Sequence, residues 1–192
     1  SMFGFQRIGD LIWAAADMRC KGFLLGGTSG RTTLSGEGLQ HEDGHSHLIA
    51  SAFPRVRAYE PAFAYEIVVL IREAIRTMYE EGEEVLYYLT LQNENYEMPP
   101  MPEGLELEKV VRGIYLYRPA SNRGRRRVRL LGSGSILQEV LKSQEILDEK
   151  YDVAADVWSV TSWSELRREA LEVARWNRLH PTETPRVTFV VR

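Results

Sequence analysis

The chain has 192 residues, 44% of them apolar and 27% charged, with a net charge of −3. That length suits one large domain or two small ones, and the near-neutral charge gives no argument for nucleic acid or a membrane surface as a partner. The single cysteine, Cys20, has no internal disulfide partner, which favours a reducing, cytoplasmic setting. No apolar run approaches the ~20 residues that cross a bilayer. Arg7 and Asp10 break up the only apolar stretch near the start, so it does not read as a secretion signal.

Helical and strand-like patterns then alternate. Ile8, Leu11, Ile12 and Ala15 recur on one face of an amphipathic helix from Phe5 to Met18. Gly22 breaks that pattern, and Phe23-Leu24-Leu25 reads as a short buried strand. Gly26 to Gly44 is polar and glycine-rich, with little periodicity. Pro61 opens the best helix, apolar at Ile67, Ile71, Ala74, Ile75 and Met78 and ended by Gly82. Val85 to Leu91 is the clearest strand. Pro99, Pro100 and Pro102 then make an extended joint, because proline continues neither a helix nor a central strand. Beyond it, Ile114–Tyr117 and Val128–Leu131 read as paired strands around a basic turn. A helix from Ser135 to Lys150, a strand at Asp156–Val160, a helix from Ser162 to Trp176 and a final strand at Val187–Val191 follow. Strand–helix–strand order on both sides of the joint predicts an α/β fold of two mainly parallel-sheet units.

Several motifs carry chemistry. His41-Glu42-Asp43-Gly44-His45 is a literal H-E-x-x-H, which in a zinc hydrolase places two imidazoles on one helical turn. Gly44 inside it costs about 1 kcal/mol in a helix, and the apolar run starts only at Leu48, so Asp43 reads as a cap with His41 in the loop before it. His41, His45 and His47 with Glu37, Glu42 and Asp43 form either an active-site loop or a polar surface loop. Gly132-Ser133-Gly134-Ser135-Ile136-Leu137 is similar to a dinucleotide fingerprint, but Leu137 stands where the third glycine belongs, which favours a structural strand-to-helix turn. Gly26-Gly27-Thr28-Ser29-Gly30 lacks the lysine of a nucleotide P-loop. Arg123, Arg125, Arg126, Arg127 and Arg129 read as a solvated hairpin, and Trp158, Trp163 and Trp176 as core or interface residues.

Longer words become specific in combination. Ser-Met-Phe-Gly-Phe-Gln-Arg (Ser1 to Arg7) precedes Gly-Gly-Thr-Ser-Gly-Arg-Thr-Thr-Leu (Gly26 to Leu34) and Gly-Glu-Gly-Leu-Gln-His-Glu-Asp-Gly-His-Ser-His (Gly36 to His47). Asn-Glu-Asn-Tyr-Glu-Met-Pro-Pro-Met-Pro-Glu-Gly (Asn93 to Gly104) and Leu-Leu-Gly-Ser-Gly-Ser-Ile-Leu (Leu130 to Leu137) follow. The series, continuing to Arg175–Val187, resembles the homodimeric-type bacterial pyruvate dehydrogenase first component, a thiamine-diphosphate-dependent relative of transketolase. The resemblance implies an internal fragment. Residues 1–95 would be the later part of the pyrimidine-binding domain, 96–112 a proline-rich connector, and 113–192 the earlier part of a transketolase C-terminal-like domain.

The same resemblance implies that Phe3 packs on the pyrimidine ring of thiamine diphosphate and that His41 is an active-site histidine, with His45 and His47 supporting its loop. Magnesium and the diphosphate belong to an amino-terminal domain outside this stretch, as does the glutamate that activates the cofactor. The implied reaction is decarboxylation of pyruvate and transfer of the two-carbon unit to the lipoyl domain of dihydrolipoyl acetyltransferase. Family members place the site between two copies of the chain, so the fragment alone is expected to be inactive. Two other readings stay open: another thiamine enzyme, such as a transketolase or 2-oxo acid dehydrogenase, and a non-catalytic interaction or regulatory module.

Overall fold

A computed structural model describes residues 2–29, 45–120 and 126–191, and only the backbone of Met2, Phe3 and Thr28. The first unit is built around the apolar run that sequence marks most strongly. Leu86, Tyr87, Tyr88, Leu89 and Thr90 are all buried, which requires neighbours on both edges and both faces. This run, β3 (Leu86–Gln92), is the middle strand of a parallel sheet in the order β1-β3-β2, flanked by β1 (Gly22–Ser29) and β2 (Val56–Tyr59). Helix α4 (Ala64–Ile75) makes the β2–β3 crossover and packs Leu70 and Ala74, with Met78 beyond its end, on Tyr59, Tyr87 and Leu89. Short helices α1 (Met2–Arg7), α2 (Gly9–Asp17) and α3 (Ser46–Ala50) belong to the same unit, and Phe5, Ile12 and Ala50 form a cluster with Phe53, Val56 and Tyr88.

Helix α5 (Leu107–Arg112) leads into the second unit, which contains β4 (Ile114–Arg118), β5 (Arg126–Gly132), α6 (Ile136–Tyr151), β6 (Val153–Val160) and α7 (Trp163–Leu179). Its sheet has the order β4-β6-β5, with β5 parallel and β4 antiparallel to β6. The α/β architecture with parallel-dominated sheets is as the sequence predicts.

Several elements differ from expectation. The helix expected over Phe5–Met18 is two helices meeting at Ile8, and it buries Ile12 and Ala16 while Leu11 is 69% exposed. In α4 the buried face runs through Glu66, Val69, Leu70 and Ala74, so Ile75 faces outward, and the final turn widens into a π-turn over Arg76–Glu80. The strands expected to pair as a hairpin, β4 and β5, are separated by β6, which fills the gap only after the α6 crossover returns the chain. Helix α5 occupies Leu107–Arg112. The expected final strand is a 3-10 turn at Phe189–Val191, whose ring stacks under the Arg112 guanidinium.

The two units share their interior. Phe63 and Ala62 cluster with Leu137 and Val157, and Val110 and Tyr115 join the α4 core. At the centre lies Glu66, with no exposed surface. Its Oε2 accepts the Ala62 and Phe63 amides, capping α4, while Oε1 accepts Tyr115 OH (2.6 Å) and Ser159 Oγ (2.7 Å) from the second unit. Burial outweighs these four donors and holds its carboxyl above the usual range.

Candidate functional site

In a parallel sheet every strand ends on the same edge, and ligands of α/β folds gather outside those carboxyl ends. Here that edge presents Ser29 at the end of β1, Glu60 just past β2, and Thr90, Gln92 and Asn93 at the end of β3. Ser29, Glu60 and Thr90 are each at most 2% exposed. The Asn93 amide donates to Ser29 O at 2.7 Å, tying the root of the segment that follows β1 to the end of β3. That segment, residues 30–44, carries His41; it lies outside the described residues, as does the Phe3 side chain, and so does all of the H-E-x-x-H word except His45.

The other two histidines of the loop are described. His45 occupies the N-cap position of α3 and is exposed; the helix therefore starts at Ser46, after the cap expected from Asp43. His47 projects from α3 to the strand edge, where Nε2 lies 3.1 Å from Thr90 Oγ1 and the ring lies 5.4 Å from that of Tyr88. Thr90 Oγ1 donates its one proton to Tyr59 O, so its oxygen is an acceptor toward His47 and the Nε2–H tautomer is assigned.

The second unit closes the edge from the other side. Glu60 donates its amide to Thr161 O (2.7 Å) and accepts Ser133 Oγ at its carboxylate (2.7 Å). Ser133 also accepts the Trp163 indole N–H, and Ser135 Oγ donates to Gln92 Oε1. This explains the glycine-rich turn without a nucleotide. Gly132 gives the close helix–strand approach, since a Cβ there would sit 2.8 Å from Val140 Cγ2 and 3.1 Å from Leu137 Cα. Gly134, at φ +52°, faces the side chains of Gln92 and Glu60. Arg126, Arg127 and Arg129 are exposed on β5, as expected of a solvated strand. Trp158 packs beside Ile114, Val160 and Leu166, and Trp176 lies between His180 and Arg186.

Sequence reading missed Glu60, Thr90 and Gln92. Their signal was present: Glu60 is a lone acid in the apolar context Ala58-Tyr59-Glu60-Pro61-Ala62. A cleft of 570 Å³ lies between α4 and α5, lined by Val68, Met101 and Leu107 among others, and includes none of these edge residues.

The described edge groups are hydroxyls, amides, one imidazole and one carboxylate, with no lysine or arginine among them, and no cluster of three metal-ligating side chains occurs among the described residues. That donor set fits the neutral aminopyrimidine end of thiamine diphosphate. No described helix is long and apolar enough to cross a membrane.

A solved transketolase from Campylobacter jejuni superposes on 88% of this chain, and on 24% of its own, with a TM-score of 0.65 at 19% identity. The fold is that of the transketolase-like α/β proteins. Within that class, residues 1–99 match the pyruvate dehydrogenase E1 component middle domain and residues 113–190 the transketolase-like C-terminal domain. The pyruvate dehydrogenase E1 components of Pseudomonas aeruginosa and Escherichia coli K12 are 56% and 54% identical over 99% and 100% of this chain. The chain belongs to the pyruvate dehydrogenase E1 component family, and spans 21–22% of the length of those relatives.

Proposed function

We propose that this chain forms the pyrimidine-side wall of the active site in a cytoplasmic, thiamine-diphosphate-dependent pyruvate dehydrogenase, the enzyme that decarboxylates pyruvate and reductively acetylates a lipoyl group. The observation that carries the reading is the convergence of Ser29, Glu60, Thr90 and Gln92 at the carboxyl edge of a parallel sheet, at the root of the segment containing His41. Thiamine diphosphate, when bound, supplies the electron sink for decarboxylation. Phe3 offers a flat apolar face to its ring, and His41 donates a hydrogen bond or moves a proton at the substrate. His47, held on Thr90, anchors the far end of the histidine segment.

Residues 1–95 then act as the pyrimidine-binding half, 96–112 as the connector, and 113–192 as the C-terminal-like half. The diphosphate and magnesium are held by polypeptide from a second copy of the longer chain in a homodimer. The lipoyl domain of dihydrolipoyl acetyltransferase meets the assembled site, and the stretch alone is inactive.

In the full-length protein, Phe3→Ala weakens thiamine diphosphate binding and His41→Ala lowers pyruvate turnover by about a hundredfold with cofactor binding retained. Unchanged cofactor affinity in the first variant and unchanged turnover in the second would together remove the basis for the assignment.

A further inference from the structure

We infer that the Ser133-Gly134-Ser135 turn of the second unit is a positioning element for the strand edge of the first, acting on Glu60 and Gln92; the inference rests on the functional reading above. Glu60 is held by its backbone on both sides, its N–H on Thr161 O at 2.7 Å and its carbonyl receiving the Gly134 N–H at 3.3 Å. Its carboxylate takes the Ser133 hydroxyl proton at 2.7 Å. The Trp163 indole N–H, 3.2 Å from the same oxygen, supplies a second donor and so sets the direction in which that hydroxyl points.

Gly134 sits with φ +52°, and a Cβ there would meet Gln92 Nε2 at 2.6 Å and Glu60 Cγ at 3.1 Å. The turn backbone therefore packs directly on both edge side chains. Ser135 adds a 3.4 Å donation to Gln92 Oε1. Gln92 pairs with Ser29 in the sheet, and the next amide, Asn93, bonds Ser29 O. Contacts made by the turn are thus passed in two steps from β3 to the last residue of β1.

Docking of the two units does not rest on this turn alone, because Glu66 also joins them through Tyr115 and Ser159. What the turn adds is control over where the carboxyl ends of β2 and β3 stand. Small displacements of groups that orient a reactant have large consequences for rate and small ones for cofactor affinity.

The test uses the full-length protein with Gly134→Ala, Ser133→Ala and Ser133→Thr, the last retaining the hydroxyl. The first two lower pyruvate turnover per cofactor-loaded site by about tenfold, with thiamine diphosphate affinity within about twofold of wild type. Amide hydrogen exchange over Thr90–Asn93 accelerates in both, and Ser133→Thr restores rate and protection. A lower thermal midpoint with unchanged turnover per loaded site, or unchanged exchange at Thr90–Asn93, overturns the inference. Should wild type itself fail to turn over pyruvate, the functional reading fails, and the exchange measurement still decides whether the turn holds the edge. If Gly134→Ala does not fold, Ser135→Ala, which removes only the bond to Gln92, carries the same two readouts.

Discussion

Glu60 and Glu66 are both buried acids near the start of α4, and both touch the second unit, yet the chain uses them differently. Glu66 stands at a helix N-terminus, where free amides point outward, and its two oxygens are taken by two amides and two hydroxyls. Glu60 stands past the end of a parallel strand, where both its backbone and its carboxylate join the second unit along the sheet edge. The comparison teaches that burial alone does not make an acid structural. Position in the fold matters too: a helix start takes up a carboxylate as its cap, whereas a strand end places it at the edge where ligands of α/β folds gather.

The sharpest way to break this comparison is Glu66→Leu. It leaves the Ala62 and Phe63 amides and the Tyr115 and Ser159 hydroxyls without their acceptor, in a region with no water access to replace it. We expect a loss of about 4 kcal/mol in urea unfolding. A loss below about 1 kcal/mol would show that Glu66 is not the keystone of the junction.

Gly132→Ala probes the second unit without touching either acid. The new Cβ meets Val140 Cγ2 at 2.8 Å and the Leu137 backbone at 3.1 Å, so α6 must move off β5. The expected cost is about 2 kcal/mol, read as a shift of the unfolding midpoint with unchanged slope.

These two positions also show where sequence was legible. Periodicity located α4, β3, α6 and α7, since each is long and strongly patterned. It missed β2, four residues long, and it paired β4 with β5 because their order and basic turn imitate a hairpin; only the crossover through α6 brings β6 between them. The break between α1 and α2 was hidden by apolar residues that fit one continuous face. At the site, Phe3 and His41 rested on family resemblance, whereas Glu60, Gln92 and Ser133 meet only after two crossovers, at sequence separations no local pattern spans.

A pH series tests Glu66 more finely. Burial raises the native carboxyl of Glu66 above its ordinary value of 4.5, so above that pH the native state binds more protons than the unfolded chain. Its contribution therefore makes stability fall as pH rises from about 4.5 toward the raised native value, by at most about 1.4 kcal/mol per pH unit. Glu66→Gln keeps an acceptor for the two amides and lets the two hydroxyls rotate to accept, and it should flatten this slope. An identical slope in wild type and variant would assign the pH dependence to another group.

The smallest effect concerns a second contact between the units at the start of a helix. Ser162 Oγ accepts the Glu165 amide at 3.0 Å, capping α7, and donates to Ala58 O at the end of the first unit's β2. The geometry repeats that of Glu66, with a helix cap that also bridges the units, but with a neutral hydroxyl and fewer dependants. Ser162→Ala should cost about 1 kcal/mol, as an ordinary N-cap does, and Ser162→Thr, which keeps both bonds, should cost less. A cost for Ser162→Ala equal to that of Glu66→Leu would mean that the bridge to Ala58, rather than the number of donors left without an acceptor, sets the strength of the junction.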